Sequence, residues 1–498
     1  MDRNILCVAL ALVLAPVGAV AAGTIADGRA DGRETAGDVV DLDALVVTAV
    51  APSQALTFVT DPRLPRQPVP ASDGADYLKT VPGFAVLRSG GTNGDPVLRG
   101  MFGSRLNLLT NDGAMSGACP SRMDNAMSYI SPETYDRLTV IKGPQSVLWG
   151  GGASAGTVRF EREIPYFDQP GVRFNGSALA GSDGRNDQVT DLVAGSPLGY
   201  ARVTANRSEA DDYRDGDGRR VPSAWDKWNA DAALGWTPDA DTVLEVSIGT
   251  GDAQARYAGR GMDGSQFERT SYGLRFEKKH IGGLLDEIKA NVYDNDVDHV
   301  MDNYSLRDPD PGSAMPMPMA SNVAHRTRGG RAALTWRAAD AWELTLGMDA
   351  RRSRHQQRNA MGRGTYLQLP WQTDARFETR GLFSEAHLHL PRQRHVIAGL
   401  RIDRADVEDV RATTGSMMPM PNPSVGITRS ETLPSAFLRY EQDVIGLPLR
   451  WYAGIGHTQR MPDYWELFSP GSGPVGSLNA FSGVQPERTT QLDLGAHY

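Results

Sequence analysis

The sequence has few cysteines, no excess of basic residues, and only one long apolar run, at its N-terminus. Two of the 498 residues are cysteine, and the net charge is −9. This acidic balance excludes nucleic acid as the main partner, because phosphate binding requires a basic protein surface. Beyond the N-terminal run we find no stretch of about 18 apolar residues, so no membrane-spanning helix is predicted.

The N-terminal run has the pattern of a secretory signal peptide, which we place at residues 1–21. Arg3 provides the basic start, Ile5–Val20 the apolar segment, and small residues at positions 19 and 21 a cleavage site. A membrane anchor is the alternative, but the run is short and ends in small residues.

Removal of the signal peptide leaves Cys119 as the only cysteine, because Cys7 lies within the removed segment. A single cysteine has no partner for an internal disulfide in an exported protein. Such a thiol is either buried and inert or has a chemical role. The neighbours of Cys119, considered below, favour the chemical role.

Residues 22–70 are predicted to be a flexible N-terminal segment, since they are polar, rich in glycine and aspartate and, from residue 51, in proline. They contain one β-prone run, DALVVTAV at residues 43–50. This run either adds as a strand to the sheet edge of a partner or forms the first strand of the following domain.

Residues 71–163 are predicted to form a compact α+β domain. A capped helix is expected within Ser72–Lys79, where Ser and Asp precede the helical residues and Pro-Gly follows soon after. Apolar runs predict strands near Phe84–Leu87, Asp95–Arg99, Leu106–Leu109, Arg137–Ile141 and Gly156–Phe160.

Residues 171–498 show the alternation of a transmembrane antiparallel β-barrel. In Thr242–Thr250, residues Leu244, Val246 and Ile248 share one face, and polar residues share the other. The same alternation recurs in Glu343–Ala350 and Leu382–Leu390. The apolar faces are predicted to meet lipid and the polar faces to line a wet lumen. A soluble β-sandwich is the alternative.

Three segments resemble the plug domain of TonB-dependent outer-membrane receptors: YLKTVPGFAVLRSGG, PVLRGMFGSRLNLLTNDGAM and ISPETYDRLTVIKGPQSVLWGGGASAGTVRFERE. The resemblance covers almost all of residues 71–163 and includes RG, NDG and IKGP elements in the family's order. It implies a plug seated inside a 22-stranded transmembrane barrel, in the outer membrane of a Gram-negative cell and in contact with outer-membrane lipid.

By the same resemblance, residues 43–50 are similar to a TonB box. The resemblance implies that TonB, driven by its inner-membrane energising complex, binds Leu45, Val46, Val47, Thr48 and Ala49. We also expect a monomer, and a transporter rather than an enzyme, because no Ser/His/Asp or paired-carboxylate arrangement argues for catalysis.

The length of the predicted barrel region is shorter than the family requires. Polar stretches at Arg207–Val221 and Asp308–Arg328 are predicted loops. At about 25 residues per strand with its share of loop, residues 171–498 provide roughly 13 or 14 strands. The segments GIGHTQRMPDYWELFSP and PERTTQLDLGAHY are similar to family segments that precede further strands. We therefore expect an incomplete barrel and a sequence truncated at its C-terminus.

Cys119 and Met123 are the first pair of predicted metal ligands. They lie four residues apart, so a helical turn or compact loop places both sulfur atoms on one side. Thiolate and thioether ligands select Cu(I). Met123 as a filler of an apolar core is the alternative, but its polar and charged neighbours argue against a core segment.

His299 and Met301 are the second pair. Residues two apart on a strand face the same way, and upstream Ile288, Ala290 and Val292 are predicted to face lipid. If the alternation continues without a bulge, His299 and Met301 face the lumen, where a plug loop meets them. Imidazole binds both oxidation states of copper, so the two pairs together form a predicted site for Cu(I) or Cu(II).

Six further methionines lie in two polar, proline-rich segments. They are Met315, Met317 and Met319 in the first, and Met417, Met418 and Met420 in the second. We predict transient copper ligands at the mouth of the barrel, assisted by His325. Tolerated variation in loops is the alternative.

The sequence therefore predicts a TonB-dependent receptor that binds and imports copper. One alternative keeps the fold and changes the cargo to an iron–siderophore complex or cobalamin, which needs a large cavity lined by aromatic residues or arginine. The other alternative is a copper-binding redox enzyme or surface copper buffer, which does not transport and works without the energising partner.

Overall fold

The computed structural model describes residues 54–498, with gaps at residues 65, 68, 89, 121, 339–340, 415–419 and 471. The predicted signal peptide at residues 1–21 and the predicted TonB box at residues 43–50 lie outside the described residues. Met417 and Met418 of the second methionine segment also lie outside them.

The first part of the described chain forms a five-stranded sheet and a separate two-stranded pair. The strands of the sheet are β1 (Thr57–Thr60), β4 (Leu106–Thr110), β5 (Gly113–Ala114), β6 (Arg137–Lys142) and β7 (Gly156–Glu161), and the pair is β2 (Phe84–Leu87) with β3 (Asp95–Leu98). Only the β4–β7 pairing of this sheet is parallel. The five strands predicted in this region are confirmed to within one residue at each end.

The predicted helix is confirmed as α1 (Gly74–Leu78), with the Asp73 carboxylate accepting the Asp76 backbone N–H at 2.7 Å as an N-cap. The other short helical elements are α2 (Tyr464–Phe468), α3 (Ala480–Gly483) and the 3₁₀ turns Gly103–Arg105, Ala126–Tyr129, Pro132–Thr134 and Thr365–Gln368. Within the described ranges, no helix is both long and apolar enough to cross a bilayer.

Fourteen antiparallel strands form the second sheet, and each strand pairs with the next one along the chain. They are β8 (Gly171–Ala180), β9 (Asn186–Ser196), β10 (Gly199–Ala210), β11 (Trp225–Asp239), β12 (Thr242–Ala255), β13 (Asp263–Gly282), β14 (Leu285–Asp302), β15 (Met319–Ala338), β16 (Trp342–Met361), β17 (Gln372–Leu390), β18 (Arg394–Asp409), β21 (Thr428–Asp443), β22 (Arg450–Arg460) and β23 (Glu487–His497). A separate small pair, β19 (Thr413–Thr414) and β20 (Met420–Pro421), lies between β18 and β21. The predicted antiparallel architecture and the strand number expected from length are confirmed.

The predicted loops are correct only in part. Strand β10 continues to Ala210, and strand β15 already begins at Met319, so residues 207–210 and 319–328 are paired strand. These segments are polar because they extend past the apolar band, where neither face meets the hydrocarbon of the bilayer. Pairing with neighbouring strands keeps them extended, which composition by itself does not reveal.

Alternate side chains of the large sheet form an apolar outer band. Leu244, Val246 and Ile248 are 38%, 56% and 51% exposed, as expected for residues that face lipid. Glu245, between them, points to the inner side and accepts a hydrogen bond from the Tyr200 hydroxyl. The alternation predicted from sequence is therefore present in β12.

The inner side of the large sheet contacts the smaller sheet through polar groups. Asn291 and Asn295 of β14 donate to the carbonyls of Asp112 and Ala114 at 3.3 and 2.8 Å. Elsewhere, Arg162 pairs with Asp231 of β11 at 3.0 Å. These contacts place the polar inner face of β14 against the edge of the smaller sheet at β5.

The two ends of the large sheet differ in the length of their connections. Short connections at residues 197–198, 240–241, 283–284 and 391–393 lie at one end, and long ones at 303–318, 410–427 and 461–486 lie at the other. Short periplasmic turns and long extracellular loops are typical of outer-membrane barrels. The long-loop end, where β14 finishes, is therefore assigned to the outside.

If the outer band faces lipid, a charged residue introduced into it should lower the free energy of unfolding more than the same residue in a connection outside the band. Val246→Arg should lower the free energy of unfolding in lipid vesicles by about 2–4 kcal/mol, because it places a guanidinium against hydrocarbon. The matched control is Ile445→Arg, which alters a side chain that is 72% exposed in a short connection. Denaturant titration of both variants is the measurement, and equal stabilities would contradict a lipid-facing Val246.

Candidate metal centre

Residues 117–124 form a closed loop that carries two of the predicted ligands. The Arg122 backbone N–H donates to the Cys119 carbonyl at 2.9 Å, which closes a turn with Pro120 at its second position. Proline suits this position because its ring holds φ near the value that the turn needs. The turn leaves Cys119 and Met123 in the same cluster of buried side chains.

The carboxylate of Asp124 orders the backbone of this loop. Asp124 is fully buried and accepts the backbone N–H groups of Ala118 and Cys119, each at 2.7 Å. It also accepts the Tyr129 hydroxyl at 2.9 Å. Burial, together with the nearby Asp124 carboxylate, raises the pKa of Tyr129 well above its ordinary value, so the hydroxyl keeps the proton that it donates.

Strand β14 carries the other two predicted ligands. Asn295, His299 and Met301 are buried on the side of the strand that faces the loop, at 6%, 0% and 7% exposure. The pairing of β14 with β13 contains a bulge, but its extra residue is Ser265 on β13. The alternation of β14 therefore continues unbroken to Met301, which keeps His299 and Met301 on the inner side.

The imidazole of His299 is held in a defined orientation. Its Nδ1 lies 2.8 Å from the Gln266 carbonyl, which only accepts hydrogen bonds, so Nδ1 carries the proton and Nε2 has the free lone pair. The Phe267 ring packs against the imidazole at 4.3 Å between centroids. Nε2 is buried and has no hydrogen-bond partner in the described part of the chain. A histidine held through one nitrogen, with the other available, is the usual arrangement of a metal ligand.

The loop and the strand bring their sulfur and nitrogen atoms together. The Cys119 Sγ lies 3.2 Å from the Met301 Sδ. Ligand atoms of Cys119, Asp124 and His299 lie within 4.8 Å of one another. Met123, at 4% exposure, belongs to the same buried cluster as Cys119 and Met301. Cys119, His299 and Met301 therefore lie together between the loop and the barrel wall, and Met123 is buried in the same apolar cluster as Cys119 and Met301.

The donor atoms of this cluster are chemically soft apart from one. A thiolate, two thioethers and an imidazole suit copper, and Cu(I) in particular. The Asp124 carboxylate is a hard donor that already accepts three hydrogen bonds, so we assign it to the loop backbone rather than to a metal. Sequence reasoning missed Asp124, and its position next to Met123 was the only available signal.

A buried histidine of the barrel also holds the loop. His355, 1% exposed, has its Nε2 2.6 Å from the Ala118 carbonyl and its Nδ1 2.8 and 2.9 Å from the two oxygens of Asp374. Tyr464 stacks on the imidazole at 3.8 Å and also donates to Asp374. These residues are far apart in the sequence, so no local pattern indicated this contact.

His325 makes a second contact to the same loop. Its Nδ1 lies 3.0 Å from the Gly117 carbonyl, and its ring centroid lies 5.9 Å from that of His355. The sequence prediction placed His325 as an assistant to the first methionine segment. The structure instead places it beside the Cys119 loop.

The described methionines of the two segments lie at the long-loop end and outside the buried cluster. The Asn303 side chain donates to the carbonyls of Met315 and Met317 at 2.9 and 3.0 Å and accepts the Met319 N–H at 2.9 Å. Met317 and Met420 are 59% and 63% exposed. Among the residues that the structure describes, none of these methionines belongs to the cluster around Cys119.

A cavity of about 290 Å³ adjoins the loop and is bordered by Cys119, His325 and His355. Several arginines also line it, but the most buried of them are already paired. Arg401 binds Asp349 and Asp403, at 2.7 and 2.6 Å. This volume lies at the lower end of the usual 300–1,000 Å³ range for ligand sites.

Two family profiles match the chain. The profile described as TonB dependent receptor-like, beta-barrel matches residues 204–498, and that of the TonB-dependent Receptor Plug Domain matches residues 49–157. The first covers more than half of the chain, which therefore belongs to the TonB-dependent receptor family. The family resemblance and the fold class predicted from sequence are confirmed. Membership implies an outer-membrane protein.

A solved structure of the copper transporter OprC is similar over most of the chain. The two are 58% identical with a TM-score of 0.89, and the match covers 92% of this chain and 71% of the OprC chain.

More distant relatives carry other cargo names. The Serratia marcescens hemophore receptor HasR is 16% identical with a TM-score of 0.68, over 89% of this chain and 69% of that chain, which shows the fold alone. A hemin receptor of Yersinia pestis is 32% identical over 91 residues, which are 18% of this chain and 13% of the receptor.

The role of Asp124 predicts a large loss of stability on its removal. Asp124→Ala leaves two buried backbone N–H groups without an acceptor, at about 1–3 kcal/mol each. The matched variant Tyr129→Phe removes one donor and keeps the carboxylate, so it should cost only about 0.5–1.5 kcal/mol. Denaturant unfolding of the two purified variants is the measurement. An Asp124→Ala protein as stable as Tyr129→Phe would show that the carboxylate does not order the loop.

Proposed function

We propose that this receptor binds copper between plug and barrel and imports it across the outer membrane with energy from TonB. The observation that carries the proposal is the meeting of Cys119, His299 and Met301 at one buried place, with Met123 buried in the same apolar cluster as Cys119 and Met301. The similarity to a structure named as a copper transporter supports it.

The spacing of the donors suits one metal ion. Metal–thiolate bonds of about 2.3 Å place two sulfurs of a tetrahedral site about 3.8 Å apart. The Cys119 Sγ and the Met301 Sδ lie 3.2 Å apart, so the loop and the strand need to separate by only about 0.6 Å. Soft donors bind hard ferric ions poorly, which favours copper over iron as the bare ion.

The division of the ligands between two parts of the protein provides a route for release. Cys119 and Met123 belong to the plug loop, whereas His299 and Met301 belong to the barrel. When TonB pulls on the predicted box at Leu45–Ala49, movement of the loop separates the two halves of the site. A metal held by both halves loses affinity when only one half remains in contact. Methionines 315, 317, 319, 417, 418 and 420 act before this step as transient copper ligands at the barrel mouth.

The ligand assignment predicts the copper content of purified variants. Cys119→Ala and His299→Ala should each weaken copper binding by at least about 10–100-fold, the loss seen when even an outer-shell partner is removed. His389→Ala is the matched control, because His389 contacts His395 near a short connection and lies far from the loop. Titration calorimetry with Cu(I) and metal analysis are the measurements. Copper binding that is unchanged in both variants would contradict the site.

A cellular assay separates import from binding alone. Deletion of residues 43–50 should reduce copper accumulation to that of cells without the receptor, while the purified protein still binds copper. Accumulation that does not depend on these residues would favour a copper-binding protein that does not transport. Uptake of hemin or a ferric siderophore without any binding of copper would favour the change of cargo.

A further inference from the structure

We propose that the outer face of strands β14–β18 binds a phosphorylated lipid of the outer leaflet. The inference is independent of copper and concerns a group of side chains that we call the arginine cluster. Its members are Arg326 and Arg328 on β15, Arg352 and Arg354 on β16, Arg376 and Arg380 on β17, and Arg404 on β18.

Strand register places the cluster on the outer face of the barrel. Met348, on the same strand as Arg352 and four residues before it, is 59% exposed in the apolar band. Residues an even number apart share a face, so Arg352 also points outward. Arg352 lies directly opposite Arg328 on one neighbour and Glu378 on the other. The side chains of Arg352 and Arg328 are 71% and 61% exposed.

The cluster has more positive than negative charge. Its seven arginines share this face with the five carboxylates Asp294, Asp296, Glu378, Asp406 and Glu408. The difference is two positive charges on a chain whose net charge is −9. Arg354 forms no ion pair with any described residue, whereas Arg326 and Arg328 share Asp294 and Arg352 and Arg380 share Glu378. Arg326 also pairs with Asp296, Arg376 with Glu408 and Arg404 with Asp406. The guanidinium of Arg354, and those that share a carboxylate, keep donors that can bind an anionic ligand.

Two adjoining hollows match the two parts of a lipid. A pocket of about 480 Å³ is lined by five members of the cluster, Arg326, Arg328, Arg352, Arg354 and Arg376, and by the three carboxylates Glu378, Asp406 and Glu408. A groove of about 840 Å³ lies next to it along the strands and is lined by apolar side chains that include Val292, Met348, Leu382 and Ile402. Arg380 and Arg404 lie opposite each other where the groove meets the pocket. Acyl chains fit the apolar groove, and a phosphate fits the arginine-lined pocket.

The small residues of the groove explain its depth. Gly330, Ala332 and Ala350 line it, where neighbouring stretches of the band carry leucine or valine. The missing side-chain volume leaves a recess on a surface that is otherwise covered by bulky apolar groups.

The position of the cluster fits the headgroup level of the outer leaflet. The arginines lie one to three rows beyond the apolar band, toward the long-loop end that we assign to the outside. Lipid phosphates lie at this boundary between hydrocarbon and water. Arginine binds phosphate through two parallel hydrogen bonds, which suits it to this headgroup.

The test compares two double variants, each with two arginines replaced, by native mass spectrometry. The full chain is reconstituted in nanodiscs of phosphatidylcholine with a small fraction of bis-phosphorylated lipid A, and the lipid retained after release is counted. Arg352→Gln with Arg354→Gln should reduce retained lipid A at least fivefold. The control, Arg207→Gln with Arg219→Gln, removes the same charge from exposed arginines elsewhere and should retain the wild-type amount.

Further arms identify the ligand. Wild type and the Arg352/Arg354 variant should retain equal amounts of lipid A that lacks phosphate. Millimolar inorganic phosphate should not displace the phosphorylated lipid from wild type. Equal retention of lipid A by the two double variants would overturn the proposal, as would equal retention of phosphorylated and dephosphorylated lipid. Displacement by inorganic phosphate alone would show that the pocket binds free phosphate and would overturn the proposal of a lipid ligand. Strand content by circular dichroism must match wild type, and a variant that fails this check is replaced by Arg354→Gln alone, with the same expected direction.

Discussion

The register between strand β14 and the plug is the constraint on which the proposed metal centre depends. Asn291 and Asn295 bind backbone carbonyls of the plug, so the odd-numbered side chains of β14 must face inward. A slip of one residue would turn His299 and Met301 toward lipid and leave both asparagines without their partners. The bulge at Ser265 absorbs the local irregularity in the neighbouring strand and leaves the alternation of β14 intact.

The loop that faces β14 is held from within and from the barrel wall. The Asp124 carboxylate accepts the backbone N–H groups of Ala118 and Cys119. His355 contacts the carbonyl of Ala118 from the barrel side. The thiol of Cys119 is therefore positioned by its own loop and by a barrel side chain together. This arrangement explains how a short polar loop maintains a buried position, and why movement of the plug relative to the barrel would alter the site directly.

The alternation of the strands has different consequences on the two faces of the sheet. The inner side chains bind the plug through amides and ion pairs, while the outer ones form an apolar band and then the arginine cluster. On both faces the chemistry changes toward the long-loop end, where soft donors lie inside and guanidinium groups outside. The proposed metal site and the proposed lipid site therefore both lie toward the end that we assign to the outside.

Local sequence pattern determined the elements that depend on near neighbours. These include the strand alternation, the capped helix at Gly74–Leu78, the plug motifs, and Cys119, Met123, His299 and Met301 as candidate ligands. Tertiary structure alone decided that the loop meets β14, that Asp124 folds back on the loop, and that His355 with Asp374 reaches Ala118. The contacts of Cys119 with Met301 and of Ala118 with His355 join residues 182 and 237 positions apart. Even the short-range contacts of Asp124 could not be predicted, because a carboxylate or imidazole carries no local signal of the partner it will meet. The outer arginines likewise became a cluster only when pairing placed four strands side by side.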